Sequence, residues 1–403
     1  MTPQMTTRQE AREKSVALLH ELITDVGFLA AKEDVENYER IWSRDGVVAG
    51  IASLLIGDEK LIATFKKTLD LLGAHQDETG RIPSNVTPRK GHVSYGTTVG
   101  RVDATIWYVI GIMAFAKLTN DTSFFEERKQ SVDSALFYLR CLELNGRGLL
   151  YIPQGGDWAD EYINHGYILF DEVLYYYALS AYAQHTDDQK TITQKNKLRK
   201  LIAINYFPDE KHCDNPLVYD KALYRYAVTQ RSTPLPASYF TNHSIRFNTD
   251  TFAIALLLSC DILEQQQRDD IREYVRANIK HNSFPIFPAF HPVITPKDIE
   301  WAHLNLNFLY EFRNKPNQYH NGGLWPLVHG FFISSFSKKD GLGALDDFAN
   351  VLARDKYIFP EYYHGTTFKA MGTTQLGFSA ASYLIAYESI VNGKDIYSII
   401  SGV

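Results

Sequence analysis

Apolar residues recur along most of this chain at the three-and-four spacing of an amphipathic helix, and strict alternation is scarce. The pattern predicts twelve helices, over residues 8–26, 45–57, 60–77, 103–119, 122–142, 167–185, 189–205, 249–263, 266–280, 323–337, 341–354 and 375–391. In chain order they alternate in character. The odd ones, such as TRQEAREKSVALLHEL and QQQRDDIREYVRANI, carry charge, whereas the even ones, such as DATIWYVIGIMAFA and DTFAIALLLSCDIL, are apolar nearly all round. A helix apolar on every side is one surrounded by protein. Six solvent-facing helices alternating with six buried ones describe two concentric rings. The expected fold is therefore all-α, an (α/α)6 barrel, with residues 1–403 as a single domain.

The connections sharpen this picture. Those at 58–59, 120–121, 186–188, 264–265 and 338–340 are short, and each runs from an even helix to the following odd one. The connections entering the even helices are long, so all of them fall at one end of the barrel, and long loops on a rigid scaffold are where function usually sits. The residues just before each even helix read NYERIWSRDG (37–46), SYGTTVGRVD (94–103), GGDWADEY (155–162), NHSIRFNTD (242–250), NQYHNGGLWP (317–326) and FPEYYHGTTF (359–368).

Composition changes the picture mainly by exclusion. A net charge of −6 with scattered Lys and Arg gives no footprint for nucleic acid or an anionic membrane. The amino terminus has no signal-like apolar core and no spanning run is apparent, so a cytoplasmic protein is expected. Cys141, Cys213 and Cys260 are odd in number and widely spaced, which argues for core thiols rather than disulfides. No HExxH or CxxC occurs, and neither a metal nor another cofactor is expected. The expected partner is a small-molecule sugar, and the sequence leaves a homo-oligomer open.

The sugar reading comes from the entry segments. All five tryptophans lie in or near them: Trp42, Trp158 and Trp325 within, Trp301 in the long loop before the fifth, and Trp107 just inside the second even helix. Aromatic faces stack on the C–H faces of a sugar, and fixed carboxylates, guanidiniums and amides bond its hydroxyls. Taken singly, Asp45, Asp103 and Asp250 read as helix caps. Arg44–Asp45 and Arg101–Val102–Asp103, however, repeat a charged pair at equivalent loops that should face one cavity. The expected sugar-binding set is Trp42, Arg44, Asp45, Arg101, Asp103, Asp157, Trp158, Arg246, Asp250, Trp301, Tyr319, His320, Asn321, Trp325 and Tyr363. Tyr319, His320 and Asn321 also fit a scaffold role, with Gly322–Gly323 bringing backbone close to another group. His329, on an apolar face, reads as a core histidine.

Glycoside hydrolysis needs a carboxylic acid to protonate the leaving oxygen and a carboxylate across the sugar to activate water or to attack. Glu361, between Pro360 and two tyrosines, lies half a turn of the barrel from the acidic cluster 157–161. Within that cluster Asp157 and Asp160 are three apart. Closely spaced carboxylates raise one another's pKa, which suits a general acid, so Asp160 is expected to be the acid with Asp157 orienting it.

Together these motifs resemble the neutral/alkaline invertase family of (α/α)6 glycosidases, with NKPNQYHNGGLWPL (314–327) and FPEYYHGTTF as the most similar parts. Weaker similarity touches NYERIWSRD, GRVDATIWYVI and RFNTDTFAIALLLS. The resemblance implies that Glu361 is the general base, that the acid lies in the loop before the sixth helix, and that the anomeric centre is inverted. In place of the family's Asp-Arg-Arg-Met-Gly stands GGDWADEY, which is similar to the glucoamylase pattern Asp-x-Trp-Glu-Glu. The glucoamylase acid stands three after the first Asp, which again selects Asp160. The expected activity is that of an inverting, exo-acting glycoside hydrolase on sucrose or a related α-glucoside. The alternatives are a sugar epimerase or isomerase using His320, His364 or His243, and a non-catalytic carbohydrate-binding barrel.

Overall fold

The computed structural model describes residues 6–32, 40–87, 91–281 and 283–401. Residues 37–39 of the first entry segment lie outside the described residues. The helices among the described residues are α1 (Thr7–Glu21), α2 (Ser43–Ile56), α3 (Glu59–Ala74), α4 (Val102–Thr119), α5 (Thr122–Cys141), α6 (Leu169–Thr186), α7 (Gln189–Asn205), α8 (Lys221–Gln230), α9 (Thr251–Ser259), α10 (Gln265–Asn278), α11 (Trp301–Leu306), α12 (Pro326–Ser334), α13 (Lys338–Arg354), α14 (Gly377–Asn392) and α15 (Ile396–Ser401). All twelve expected helices are present. The additions, α8, α11 and α15, are short, and α8 buries only Tyr224 and Ala227, too little apolar surface to stand out in the sequence.

The apolar even helices form the inner ring. α2 packs on α4, α4 on α6, α6 on α9, α9 on α12, α12 on α14, and α14 returns to α2. The charged helices lie outside: α1 against α13 and α14, α3 against α2, α5 against α4, α7 against α6 and α13 against α14. This is the (α/α)6 arrangement. α4 is long and apolar enough to cross a bilayer, which the sequence reading overlooked. In the fold, 83% of its most apolar stretch is buried as a stave of the inner ring.

Local chemistry explains why one end of the barrel is tight. Inner helices α2, α4 and α6 end on left-handed residues, Gly57, Asn120 and Asp187. The next residue in each case, Asp58, Asp121 or Asp188, accepts backbone N–H bonds and starts the outer helix. Two residues thus reverse the chain. At the other end five of the six inner helices are entered from extended backbone with no side-chain cap. Short antiparallel ribbons that the sequence did not suggest set the entry angles. Ile41–Trp42 pairs with Asn85–Thr87, Tyr167–Ile168 with Tyr239–Phe240, Thr249–Asp250 with Phe290–His291, and Tyr362–Tyr363 with Ala370–Met371. The cysteines depart from expectation: only Cys260 is buried, Cys213 is half-buried and Cys141 is exposed.

Candidate active site

A cavity of about 940 Å³ opens at the long-loop end. Its walls include Trp42, Arg44, Asp45, Arg101, Trp158, Asp160, Tyr319, His320, Trp325 and Glu361, contributed by five of the six entry segments. The floor is aromatic. Trp158 meets Trp325 edge-on at 5.7 Å and His320 at 5.1 Å, while His320 and Phe378 both stack on Trp325, at 5.0 and 6.1 Å. Such a floor offers flat, apolar faces to a sugar ring.

The loop carrying Asp160 is held from several sides. Its Gly-Gly turn presents the Gly155 carbonyl to the Arg101 guanidinium and the Gly156 carbonyl to Val102 N–H at 2.7 Å. Arg44 Nη1 donates to the Trp158 carbonyl at 3.2 Å, and Trp158 Nε1 donates to Asp250 at 3.0 Å. Asn307 and Asn314 donate to the carbonyls of Tyr162 and Glu161 at 2.6 and 2.7 Å. Asp160 itself pairs with Arg101. Burial pushes its carboxyl up, but Arg101 leads the cations that outweigh burial and hold it below the usual aspartate range.

Here the structure corrects the sequence reasoning. The carboxyl kept protonated in this cluster is Asp157, pushed up to about 8 by burial and by Asp250. Asp157 is wholly buried, accepts one bond from Asn164 at 3.2 Å, and is not part of the cavity wall. Behind it Asp171 is also buried, neither of its oxygens finds a partner, and burial raises its pKa further.

Glu361 reaches the cavity from a different kind of support. Its N–H bonds the Thr373 carbonyl at 2.8 Å, and Thr373 N–H donates back to Glu361 Oε2 at 3.4 Å. Gly372 lies so close that an added Cβ would come within 2.2 Å of Oε2. The following Tyr363 exchanges two backbone bonds with Leu324, at 2.7 and 2.8 Å, which ties this strand to the GGLW segment. In that segment Gly323 packs against the Tyr319 backbone, where a Cβ would meet Tyr319 O at 2.2 Å, as the Gly-Gly reading required.

The expected Arg–Asp pairs do face one region, but neither arginine pairs with the aspartate expected for it. Arg44 binds Asp103 at 2.9 Å and Arg101 binds Asp160. Capping holds only for Asp250, whose Oδ1 accepts from Phe252 and Ala253 N–H at 2.9 and 3.0 Å. Asp45 lines the cavity with Oδ1 unpartnered, and burial pushes it up to about 6. Asp103 is buried behind Arg44, and burial raises its carboxyl too.

Several expected binding residues are not in the wall. Arg246 pairs with Glu300 at 2.9 Å on the surface, and Trp301 packs edge-on against Phe312 at 5.6 Å. Asn321 is consumed by scaffold bonds to Ile294 N, Ile294 O and Asn314 O, at 2.7, 2.8 and 3.1 Å. Tyr363 packs on Phe284 at 5.1 Å. Among the candidate histidines only His320 reaches the cavity, and burial holds it neutral, with a pKa of about 3. His329 is a core histidine as expected, though neither ring nitrogen has a partner.

Residues that the sequence reading missed include Glu161, which pairs with Arg313 at 3.2 Å, and Phe378, one residue inside α14. Also missed was the run from Asn307 to Glu311, all in the cavity wall. Its three consecutive apolar residues, Phe308, Leu309 and Tyr310, in a stretch without helical period were the available signal.

The chain is similar to known proteins along most of its length. Probable alkaline/neutral invertase F of Arabidopsis thaliana is 23% identical over 427 residues, spanning 88% of this chain and 81% of the relative. Cytosolic invertase 1 of Oryza sativa subsp. japonica is 24% identical over 430 residues, spanning 90% and 73%. The crystal structure of a bacterial glucoamylase complexed with acarbose matches with a TM-score of 0.65 at 15% identity, over 97% of this chain and 57% of that one, a likeness of fold. No protein-family model matches the chain.

Proposed function

Taking the chain as a glycoside hydrolase, which its similarity to alkaline/neutral invertases along about nine-tenths of its length supports, we propose that it is an inverting, exo-acting enzyme with Asp160 as general acid and Glu361 as general base. The observation that carries the reading is that these two carboxyls, from the third and sixth entry segments, line one cavity over an aromatic floor. A terminal sugar lies on the Trp158–Trp325 floor, with its hydroxyls bonded by Arg44 and Asp45. Asp160 gives its proton to the glycosidic oxygen, which leaves with the electrons of the broken C–O bond. Glu361 takes a proton from the water that attacks the anomeric carbon from the opposite face, and the centre inverts.

Paired with Arg101, the Asp160 carboxyl is held below the usual aspartate range. A sugar hydroxyl that draws the Arg101 guanidinium to itself weakens this pairing and lets Asp160 take up the proton it must deliver. Sucrose is the first substrate in this proposal and another small α-glucoside the second. Cytoplasmic action of the barrel as one catalytic domain is part of the same reading, and a cytosolic invertase is among the relatives. The test is a panel of sucrose, trehalose, maltose and isomaltose, with the product anomer followed by NMR. Release of the opposite anomer from one of them is expected, and retained configuration or no hydrolysis would overturn the proposal.

A further inference from the structure

The cavity walls change in character from floor to mouth. Trp158, Trp325, Phe378 and Glu361 are buried, whereas Phe308, Leu309 and Tyr310 are 44%, 46% and 85% exposed. Three consecutive exposed apolar side chains are costly to leave in water and mark a binding surface when they border a cleft. At about 940 Å³ the cavity stands near the upper end of the roughly 300–1,000 Å³ range of ligand sites, so it holds more than the terminal sugar.

The arm is fixed to the acid loop at both ends. Asn307 Nδ2 donates to the Tyr162 carbonyl at 2.6 Å, Arg313 pairs with the Glu161 carboxylate at 3.2 Å, and Asn314 holds the Glu161 carbonyl. Both anchor residues follow Asp160 directly in the chain. A general acid stands beside the oxygen of the group that departs, so whatever is built onto the acid's loop borders the leaving group.

We infer that Phe308, Leu309 and Tyr310 form a leaving-group subsite for an apolar aglycone. Besides the proposed disaccharides, the enzyme then accepts glycosides whose departing alcohol presents an alkyl or aryl face, and favours them over those of a small alcohol. This inference rests on the hydrolase reading of the same cavity and adds to it the class of aglycone.

Methyl, butyl and octyl α-glucosides have leaving alcohols of similar acidity, so a rise in kcat/KM along the series reports apolar contact alone. The intact protein is expected to show that rise. A variant carrying Phe308→Ser, Leu309→Ser and Tyr310→Ser, all exposed, is expected to lose about tenfold or more on the octyl substrate. It should remain within about twofold on the methyl substrate and on α-glucosyl fluoride, whose leaving group is too small to reach the arm. A flat series in the intact protein, or an equal loss on every substrate, overturns the subsite. So does a variant that keeps its selectivity but changes its molar mass in solution, because the patch would then be a contact between copies. Failure of the intact protein to turn over any member of the panel or the fluoride overturns the hydrolase reading itself, and the subsite falls with it.

Discussion

The segments of Asp160 and Glu361, the proposed acid and base, line one cavity, yet they are supported in different ways. The loop of Asp160 is crowded with charge. Its carboxylate meets Arg101, its backbone carbonyls are taken up by Arg101, Arg44, Asn307 and Asn314, and the buried carboxyls of Asp157 and Asp171 lie behind it. The segment of Glu361 is a strand of a small hairpin, held by backbone bonds and shaped by the close approach of Gly372. An acid has to gain and lose its proton in each cycle, and a movable cation can govern that step. The base also gains and loses a proton in each cycle but enters it ionised, so its support has chiefly to fix its position.

The proposed chemical roles provide the strongest way to break this comparison. Glu361→Gln and Asp160→Asn should each lower kcat on a disaccharide roughly 10²–10⁴-fold. On α-glucosyl fluoride, which departs without a proton, the Asp160 variant should recover most of its rate and the Glu361 variant should not. Steady-state kinetics on both substrates checks this, and equal loss on both would erase the assigned difference.

Gly372→Ala tests the positional side. Gly372 has φ +70, and its Cβ would collide with Glu361 Oε2. A loss of activity of about tenfold or more is expected, with the circular dichroism spectrum unchanged. No comparable loss should follow Gly343→Ala on α13, where a Cβ meets nothing.

Arg101→Gln sharpens the electrostatic side. The acid must be protonated to act, so kcat/KM falls as pH rises past the pKa of Asp160 in the free enzyme. Arg101 lowers that pKa, and its removal should move the alkaline limb to higher pH. An unmoved limb in the pH profile would detach Arg101 from proton control.

The last expected effect is on stability and leaves activity nearly untouched. Folding raises Asp157 from the ordinary aspartate range to about 8, so the native state binds the extra proton between these values. Stability tied to that proton is fully present below the ordinary range and is lost as pH rises through about 8. Asp157→Asn removes the titration while its amide oxygen still accepts from Asn164. The melting temperature of the variant should therefore fall less steeply than that of the parent across this window, with little change in kcat/KM.

Much of this molecule was legible in its sequence because helix burial is written in local composition. Alternating charged and apolar helices predicted two rings, and the ring contacts have that order. The tight turns were legible for the same reason, since Gly57–Asp58 and Asn120–Asp121 act through their own backbone. The cavity was legible only as a neighbourhood. Asn321 looks like a polar candidate for a sugar, and only the fold spends it on the Ile294 backbone, far away in the chain. Trp301 and Arg246 sit in the right loops and point elsewhere.

What the sequence determined by itself was which helices are buried, which end of the barrel carries the long loops, and which residue types gather there. Each of these follows from local pattern and chain connectivity. Tertiary structure decided that Asp160 and Glu161 of GGDWADEY line the cavity while Asp157 does not, that Arg44 pairs with Asp103 and Arg101 with Asp160, and that burial raises the Asp157 carboxyl while nearby cations lower that of Asp160. Those outcomes depend on burial and on charges from loops some 60 residues apart, and no local pattern records either.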